Sequence, residues 1–457
     1  MPLLPSVSSL LPEALIRWNR SYSCWKQALV VLELFLLSIS MTRGVCGGDW
    51  PQILGPNRNG IAEDEKLAPR WPRGGPPTLW ERPIGSGYAG AAIVGERVYI
   101  FHRVGDEEIL ECLRLSDGTS LFRDASPTSF TPQVGEENGP LCVPVVHQDR
   151  VITYGAQGLL TCVNAINGTR LWQRKTHLDF KAPEGYFGAG STPIVVGDHV
   201  IVNVGGAKTS AGIVAFSLKT GETVWQQTNE PASYSAPVRA DINDIPLVMM
   251  VSRYRCQLLD PQAGTILFQF PFGQRGPTVN GACPLILGDR LLVTSSYGIG
   301  AVYGQFDLLG FEPIYEGERP IATQYCTPIH QDGFLYFIDG RDDVPPADLK
   351  CVELALLKSK SRPDGSPSTD GSRLTSPVRW IEHNFGYGTL LLADGKLIIL
   401  KTTGELLMIQ PTPESFKVIS KCRPLTGVAR ALPALSNGKL VIRNQNTLKC
   451  LALGRGI

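Results

Sequence analysis

The side chains best able to do chemistry in this 457-residue chain are eleven cysteines, six histidines and an Asp342-Asp343 pair, together with tyrosines and an arginine that recur at matching places. A zinc site needs Cys or His ligands at close spacing, such as a CxxC pair. No CxxC occurs, and the histidines are scattered. The cysteines recur in one context instead. Cys112, Cys162, Cys351 and Cys450 each open a short apolar run, and Cys256 sits similarly before Gln257-Leu258-Leu259. A thiol at one repeat position acts as a small buried hydrophobe. These cysteines are therefore expected to be reduced and to lie in separate units, since packed sheets stand about 10 Å apart and a disulfide needs Cα atoms within about 7 Å. Asp342 and Asp343 lie in a Pro-rich loop and fall short of the six to eight oxygens that calcium takes; they are expected to be solvated. No metal, cofactor or catalytic residue follows from these groups.

The elements that position such residues come from an internal repeat. A small residue or Pro, two or three apolar residues, a polar turn and a β-rich run recur, as in Thr192-Pro193-Ile194-Val195-Val196-Gly197-Asp198 before His199-Val200-Ile201-Val202. The anchors Ala91, Pro144, Pro193, Pro237, Pro284, Pro328, Leu390 and Pro433 fall at a period of roughly 45–50 residues, with one longer interval. Each unit continues into a third strand, a turn such as Asp117-Gly118, Asn167-Gly168, Thr220-Gly221 or Ala263-Gly264, and a fourth strand with an aromatic: Phe122, Trp172, Trp225, Phe268, Tyr315 or Trp380. Asn167-Gly168-Thr169 matches a glycosylation sequon but reads as that turn. Four antiparallel strands per unit make a propeller blade. The fold class is all-β: an eight-bladed β-propeller of four-stranded antiparallel blades. The last unit, Pro433 to Leu453, has three strands, and an orphan fourth strand, Pro77-Thr78-Leu79-Trp80-Glu81, precedes the first anchor. That N-terminal strand is expected to close the ring.

The residues three before each anchor lie near one mouth of the central channel. Among them are Tyr88, Tyr234, Tyr325, Tyr387 and Arg430, four of the chain's thirteen tyrosines. Tyr offers flat amphipathic area and Arg a planar donor fork, suited to sugars, aromatic rings or carboxylates. Two readings stand: these side chains bind a ligand, or they plug the channel and bond to one another.

Composition narrows the function classes. Lys+Arg 43 against Asp+Glu 42 leaves a net charge of +1, so a generic nucleic-acid binder is not expected. Hydrophobic residues at 43% exclude wholesale disorder, and 48 glycines with 35 prolines fit many short elements. No apolar run reaches the ~20 residues of a membrane helix. Residues 1–48 read as an export leader: Arg17, Arg20 and Lys26, an apolar run from Ala28 to Met41 broken by Glu33, then small residues to Gly48. Cys46 raises the alternative of a membrane tether through the N-terminus, although Arg43-Gly44-Val45 fits a lipidation signal poorly. Residues 49–457 form one propeller domain, and the polar stretch 358–376 reads as a solvated loop insertion in the sixth blade. The mature chain is expected to be a monomer in the periplasm or cell envelope.

The repeat ends Leu160-Thr161-Cys162-Val163 to Leu171-Trp172 and Val214-Ala215-Phe216 to Val224-Trp225 resemble the pyrroloquinoline-quinone-type repeat family. The opening Asp49-Trp50-Pro51-Gln52 with Gly55-Pro56-Asn57-Arg58-Asn59-Gly60 is similar to the start of exported members. The resemblance covers nearly all of residues 49–457. It implies the propeller fold and leaves two functions. Enzymes of the family carry adjacent cysteines, a calcium site of carboxylate and amide oxygens, and an Asp base; no two cysteines are adjacent here. The resemblance therefore implies an exported, non-catalytic scaffold or binding protein like the family's outer-membrane assembly members, with an envelope protein or small polar ligand as partner. The alternative is a dehydrogenase using pyrroloquinoline quinone and calcium in the central funnel.

Overall fold

The computed structural model describes residues 48–276, 278–358 and 376–456. The expected leader, 1–48, and the polar insertion, 358–376, lie outside the described residues apart from Gly48, Lys358 and Ser376. Each repeat unit is one four-stranded antiparallel sheet, and eight such sheets follow in chain order. The first blade is Ala91–Val94, Arg97–Val104, Glu107–Arg114 and Ser120–Pro127. The inner strands of the next six begin at Val145, Ile194, Val238, Leu285, Ile329 and Gly388. The eighth blade is built from Ala434–Ser436, Lys439–Arg443 and Thr447–Ala452, completed by Thr78–Pro83 from the other end of the chain. The expected eight-bladed ring and its N-terminal closing strand are both present. No helix among the described residues is long and apolar enough to cross a membrane.

Local sequence explains the hairpins. Asp394-Gly395 (φ 47° and 65°) and Asn437-Gly438 (φ 53° and 69°) join inner to second strands with both turn residues left-handed. That conformation matches the twist of the flanking strands and is open to Asn, Asp and Gly. The branched and aromatic residues of the second and third strands are buried on both faces, so these strands read as continuous apolar runs rather than alternating ones.

The outer strand carries one bulge in every blade. Its pairing skips a single residue, Leu79, Leu121, Leu171, Val224, Leu267, Ile314, Arg379 or Ile419, just before the position where the aromatic sits. A bulge re-aims the following side chain, and here it turns the aromatic onto the next blade. Trp80, Trp172, Trp225 and Trp380 each donate their indole N–H to a carbonyl there: Leu115 (2.9 Å), Leu218 (2.9 Å), Pro261 (3.0 Å) and Thr412 (2.8 Å). The ring of Trp80 lies on Gly118, where a Cβ would stand 2.8 Å away, and Trp172 covers Gly221 in the same way. Only glycine fits under the ring and also takes φ near 70°.

The recurrent cysteines explain themselves in this register. Cys112, Cys162, Cys351 and Cys450 pair across from Phe122, Trp172, Trp380 and Trp80, so a small apolar residue leaves room for the ring. All four are free and buried. Cys256 departs from the expectation: it pairs with Phe270, while Leu258 faces Phe268 and holds the equivalent position. The fourth blade thus uses a larger residue there. In the seventh blade Ser420 stands where the aromatic would be. Trp71, from the segment before the closing strand, is buried in the adjoining core and donates its backbone N–H to Ser420 Oγ at 3.0 Å.

Candidate functional site

The inner strands all run from one end of the channel to the other, so the two ends are built from different loops. At the far end lie the tight turns between inner and second strands. The N-terminal segment is fastened across them: Asp49 accepts from the Gly95 amide (2.8 Å), Glu65 from Gly438 (2.7 Å), and Asp394 from Leu67 (3.1 Å). Trp50 bridges to Ile93, and Ile61–Ala62 pair in parallel with Leu392 and Ala393. Between these contacts residues 52–60 turn up into the channel. Arg58, 2% exposed, holds a left-handed φ of 53°. Its guanidinium donates to the carbonyls of Pro237 (2.7 Å), Pro193 (2.5 Å) and Thr192 (3.3 Å), residues that lead into the inner strands of the third and fourth blades, and to Gln52 Oε1 (2.8 Å). Burial pulls its pKa down to about 10, still well above neutrality, so the group stays charged. A belt of inter-blade bonds surrounds this point: Val143 N–H to Thr192 Oγ1, Ser191 Oγ–H to the Ser235 carbonyl, and Cys283 N–H to Thr327 Oγ1.

At the near mouth the structure brings together four of the five sequence-predicted residues. Arg430 donates to Asp342 Oδ2 at 2.5 Å and to the Tyr88 hydroxyl at 3.4 Å, with its guanidinium over the Tyr88 ring. Tyr325 donates to the same Asp342 oxygen at 3.2 Å and packs against Tyr387, ring centroids 4.6 Å apart. The Tyr387 hydroxyl accepts from the amides of Gln324, Tyr325 and Cys326 at 2.8–3.0 Å. Burial raises the Arg430 cost of carrying charge, but Asp342 outweighs it and holds the guanidinium pKa above its ordinary value. Burial raises the phenols of Tyr88, Tyr325 and Tyr387, so all three stay neutral.

Asp342 is the correction here. Its side chain is 10% exposed rather than solvated, because Arg430 and Tyr325 neutralise and bond it. Asp343 keeps the expected exposure and pairs with Arg341, which stacks over Tyr297 at 4.3 Å. Tyr234 does not join the cluster. Its hydroxyl accepts from the Phe187 amide (3.1 Å) and its ring meets Phe187 edge-on.

Tyr234 instead helps line an off-axis cavity of about 270 Å³ on the same face, among loops of the second to fourth blades. Its walls include His177, Glu184, Tyr186, Asn203, Ser233, Arg253 and Tyr254. Sequence reading missed these residues apart from Tyr234, since they come from a strand, a short helix and several loops and share no repeat position. Burial pulls the His177 imidazole down to about 4. The folded state therefore refuses a proton that the unfolded chain takes up below about 6.5. The stability contributed by the neutral ring is complete above that pH and is lost as the pH falls toward 4. His177→Gln is expected to flatten the melting profile across that window, by up to roughly 3 kcal/mol. A slope identical to the parent's contradicts this.

A search of curated proteins by sequence gives no match. Among solved structures, BamB from Moraxella catarrhalis is similar at 12% identity and TM-score 0.58, covering 83% of this chain and 98% of that one. A europium-containing methanol dehydrogenase aligns at 11% identity and TM-score 0.58, covering 88% and 90%. The quinohemoprotein alcohol dehydrogenase ADHIIG from Pseudomonas putida HK5 aligns at 10% identity and TM-score 0.57, covering 90% and 81%. These likenesses concern the fold. The family profile described as outer membrane protein assembly factor BamB matches residues 106–350, more than half of the sequence, and the chain belongs to this family of pyrroloquinoline-quinone-like β-propellers.

Proposed function

We propose that the protein is an exported, non-catalytic propeller of the cell envelope that binds a protein or small polar ligand through the face bearing Tyr88, Tyr325 and Arg430. One observation carries the non-catalytic part of this reading: the channel is occupied by the protein's own loop, with Arg58 bonded to three channel carbonyls beneath a mouth where Arg430 and Asp342 pair with each other. The name of the matched family, an outer membrane assembly factor, supports the envelope location.

A quinone–calcium pair is the alternative cofactor, and the residues present do not fit it. Calcium takes about six to eight oxygens. No group of three or more His, Cys, Asp or Glu able to hold a metal exists among the described residues. Asp342 is held by Arg430 and Tyr325, and Asp343 by Arg341 and Gln324. After incubation with pyrroloquinoline quinone and Ca²⁺, the full chain is expected to give no dye-linked oxidation of alcohols or sugars. Dye reduction that depends on both additions would overturn the reading.

A further inference from the structure

The off-axis cavity spends its polar groups on the protein itself. The Ser233 hydroxyl donates to the Val251 carbonyl, and the Tyr234 hydroxyl accepts from the Phe187 amide. Arg253 donates to the carbonyls of Gly276 and Thr278, and Glu184 accepts from Gln157 Nε2 at 2.7 Å. Asn203 Oδ1 and His177 Nδ1 have no partner, but both atoms are sealed from solvent and offer a guest nothing. What the wall presents is therefore flat and apolar. Tyr186 stands at the rim, 38% exposed, and the partly buried rings of Tyr234 and Tyr254 line the cavity with Pro231 and Ala232. Tyr234 lies against Gly190, where any Cβ would strike the ring, so the close approach of the ring depends on glycine.

Size and charge restrict the guest. A cavity of about 150 Å³ lined by aliphatic and phenyl side chains takes one benzene. This one measures about 270 Å³, enough for a fused bicyclic ring such as indole. Aromatic cages also hold cations, but here the Arg253 guanidinium already stands over the Tyr254 ring, 5.7 Å from its centroid, and opposes a second positive charge. The Glu184 carboxylate in the same wall opposes a negative one. We propose that this cavity binds an uncharged aromatic compound of one or two rings, held by stacking and edge contacts with Tyr186, Tyr234 and Tyr254 rather than by hydrogen bonds.

None of Tyr88, Tyr325 and Arg430 lines this cavity, so the inference goes beyond the reading above and has its own test. The full chain is titrated with phenol and indole by calorimetry and saturation-transfer NMR, against cyclohexanol, benzoate and tryptamine. Indole is expected to bind with a Kd of about 1 mM or below, and more tightly than phenol. Cyclohexanol has the size of phenol without its π face and is expected to bind about two- to tenfold more weakly. Benzoate is expected to fall below phenol, and tryptamine below indole. Ala232→Phe fills the cavity and is expected to abolish indole binding. Tyr254→Ala removes one ring and is expected to weaken it about two- to tenfold, with the thermal transition preserved. Failure of both indole and phenol to bind, cyclohexanol equal to phenol, tighter binding of the charged compounds, or parent-like affinity in either variant overturns the proposal. Neither quinone nor dye enters the titration. Dye-linked turnover would therefore remove the non-catalytic reading alone, and failed indole binding would remove this site alone.

Discussion

Removal of residues 49–84 is expected to abolish the cooperative unfolding of the whole ring rather than trim a tail from it. The segment supplies the fourth strand of the eighth blade, the parallel pair Ile61–Ala62, and the buried side chains of Trp50, Leu67, Trp71 and Trp80. In a propeller each blade contacts only its neighbours, so stability is a sum of nearest-neighbour interfaces. Losing the closing strand opens one interface completely and exposes an unpaired strand edge. The finer test is Trp80→Ala. It removes an 8% exposed indole and its bond to the Leu115 carbonyl, and is expected to cost about 3–5 kcal/mol in denaturant unfolding. A truncated chain that melts with the parent's midpoint would mean that the ring does not depend on its seam.

Replacement of Arg58 by Met is expected to cost a comparable amount, about 3–5 kcal/mol. The guanidinium is the donor for three channel carbonyls and Gln52. Buried acceptors stripped of their donor keep the full desolvation penalty, roughly 1–3 kcal/mol each before relaxation. Lys supplies the charge but not the planar fork, so Arg58→Lys is expected to recover only part of the loss. Equal stability of Met and Lys variants to the parent would show that the loop merely rests in the channel. The left-handed backbone at residue 58 sharpens the case: a strained conformation persists only where surrounding contacts determine it.

How much of this was legible in the sequence depends on periodicity. The blades were, because the turn glycine and the aromatic that covers it are coupled by one packing event, repeated at a fixed spacing. Gly118 with Trp80 and Gly221 with Trp172 are two instances of it. The orphan strand at Leu79-Trp80 was legible for the same reason. The partner of each indole N–H was not, since Leu115, Leu218, Pro261 and Thr412 contribute only their backbones. Cys256 fell in another register because Cys256 and Leu258 lie two residues apart on the same face of the strand, and either can stand across from an aromatic of the outer strand. The mouth cluster was half legible. Position relative to the anchors found Tyr88, Tyr325, Tyr387 and Arg430, but Asp342, which joins two of them, comes from a loop between second and third strands with no repeat signature. Arg58 lay within a recognisable opening motif, yet nothing in a Gly-, Pro- and Asn-rich stretch announces that it enters a channel.

The most direct measurement of the central claim is equilibrium dialysis of the full chain against pyrroloquinoline quinone in the presence and absence of Ca²⁺, followed by the cofactor's own absorbance. With the channel filled by residues 52–60 and the mouth carboxylates bonded to arginine, retention is expected to match that of an unrelated protein under both conditions. Saturable uptake of one quinone per chain that requires Ca²⁺ would contradict the account.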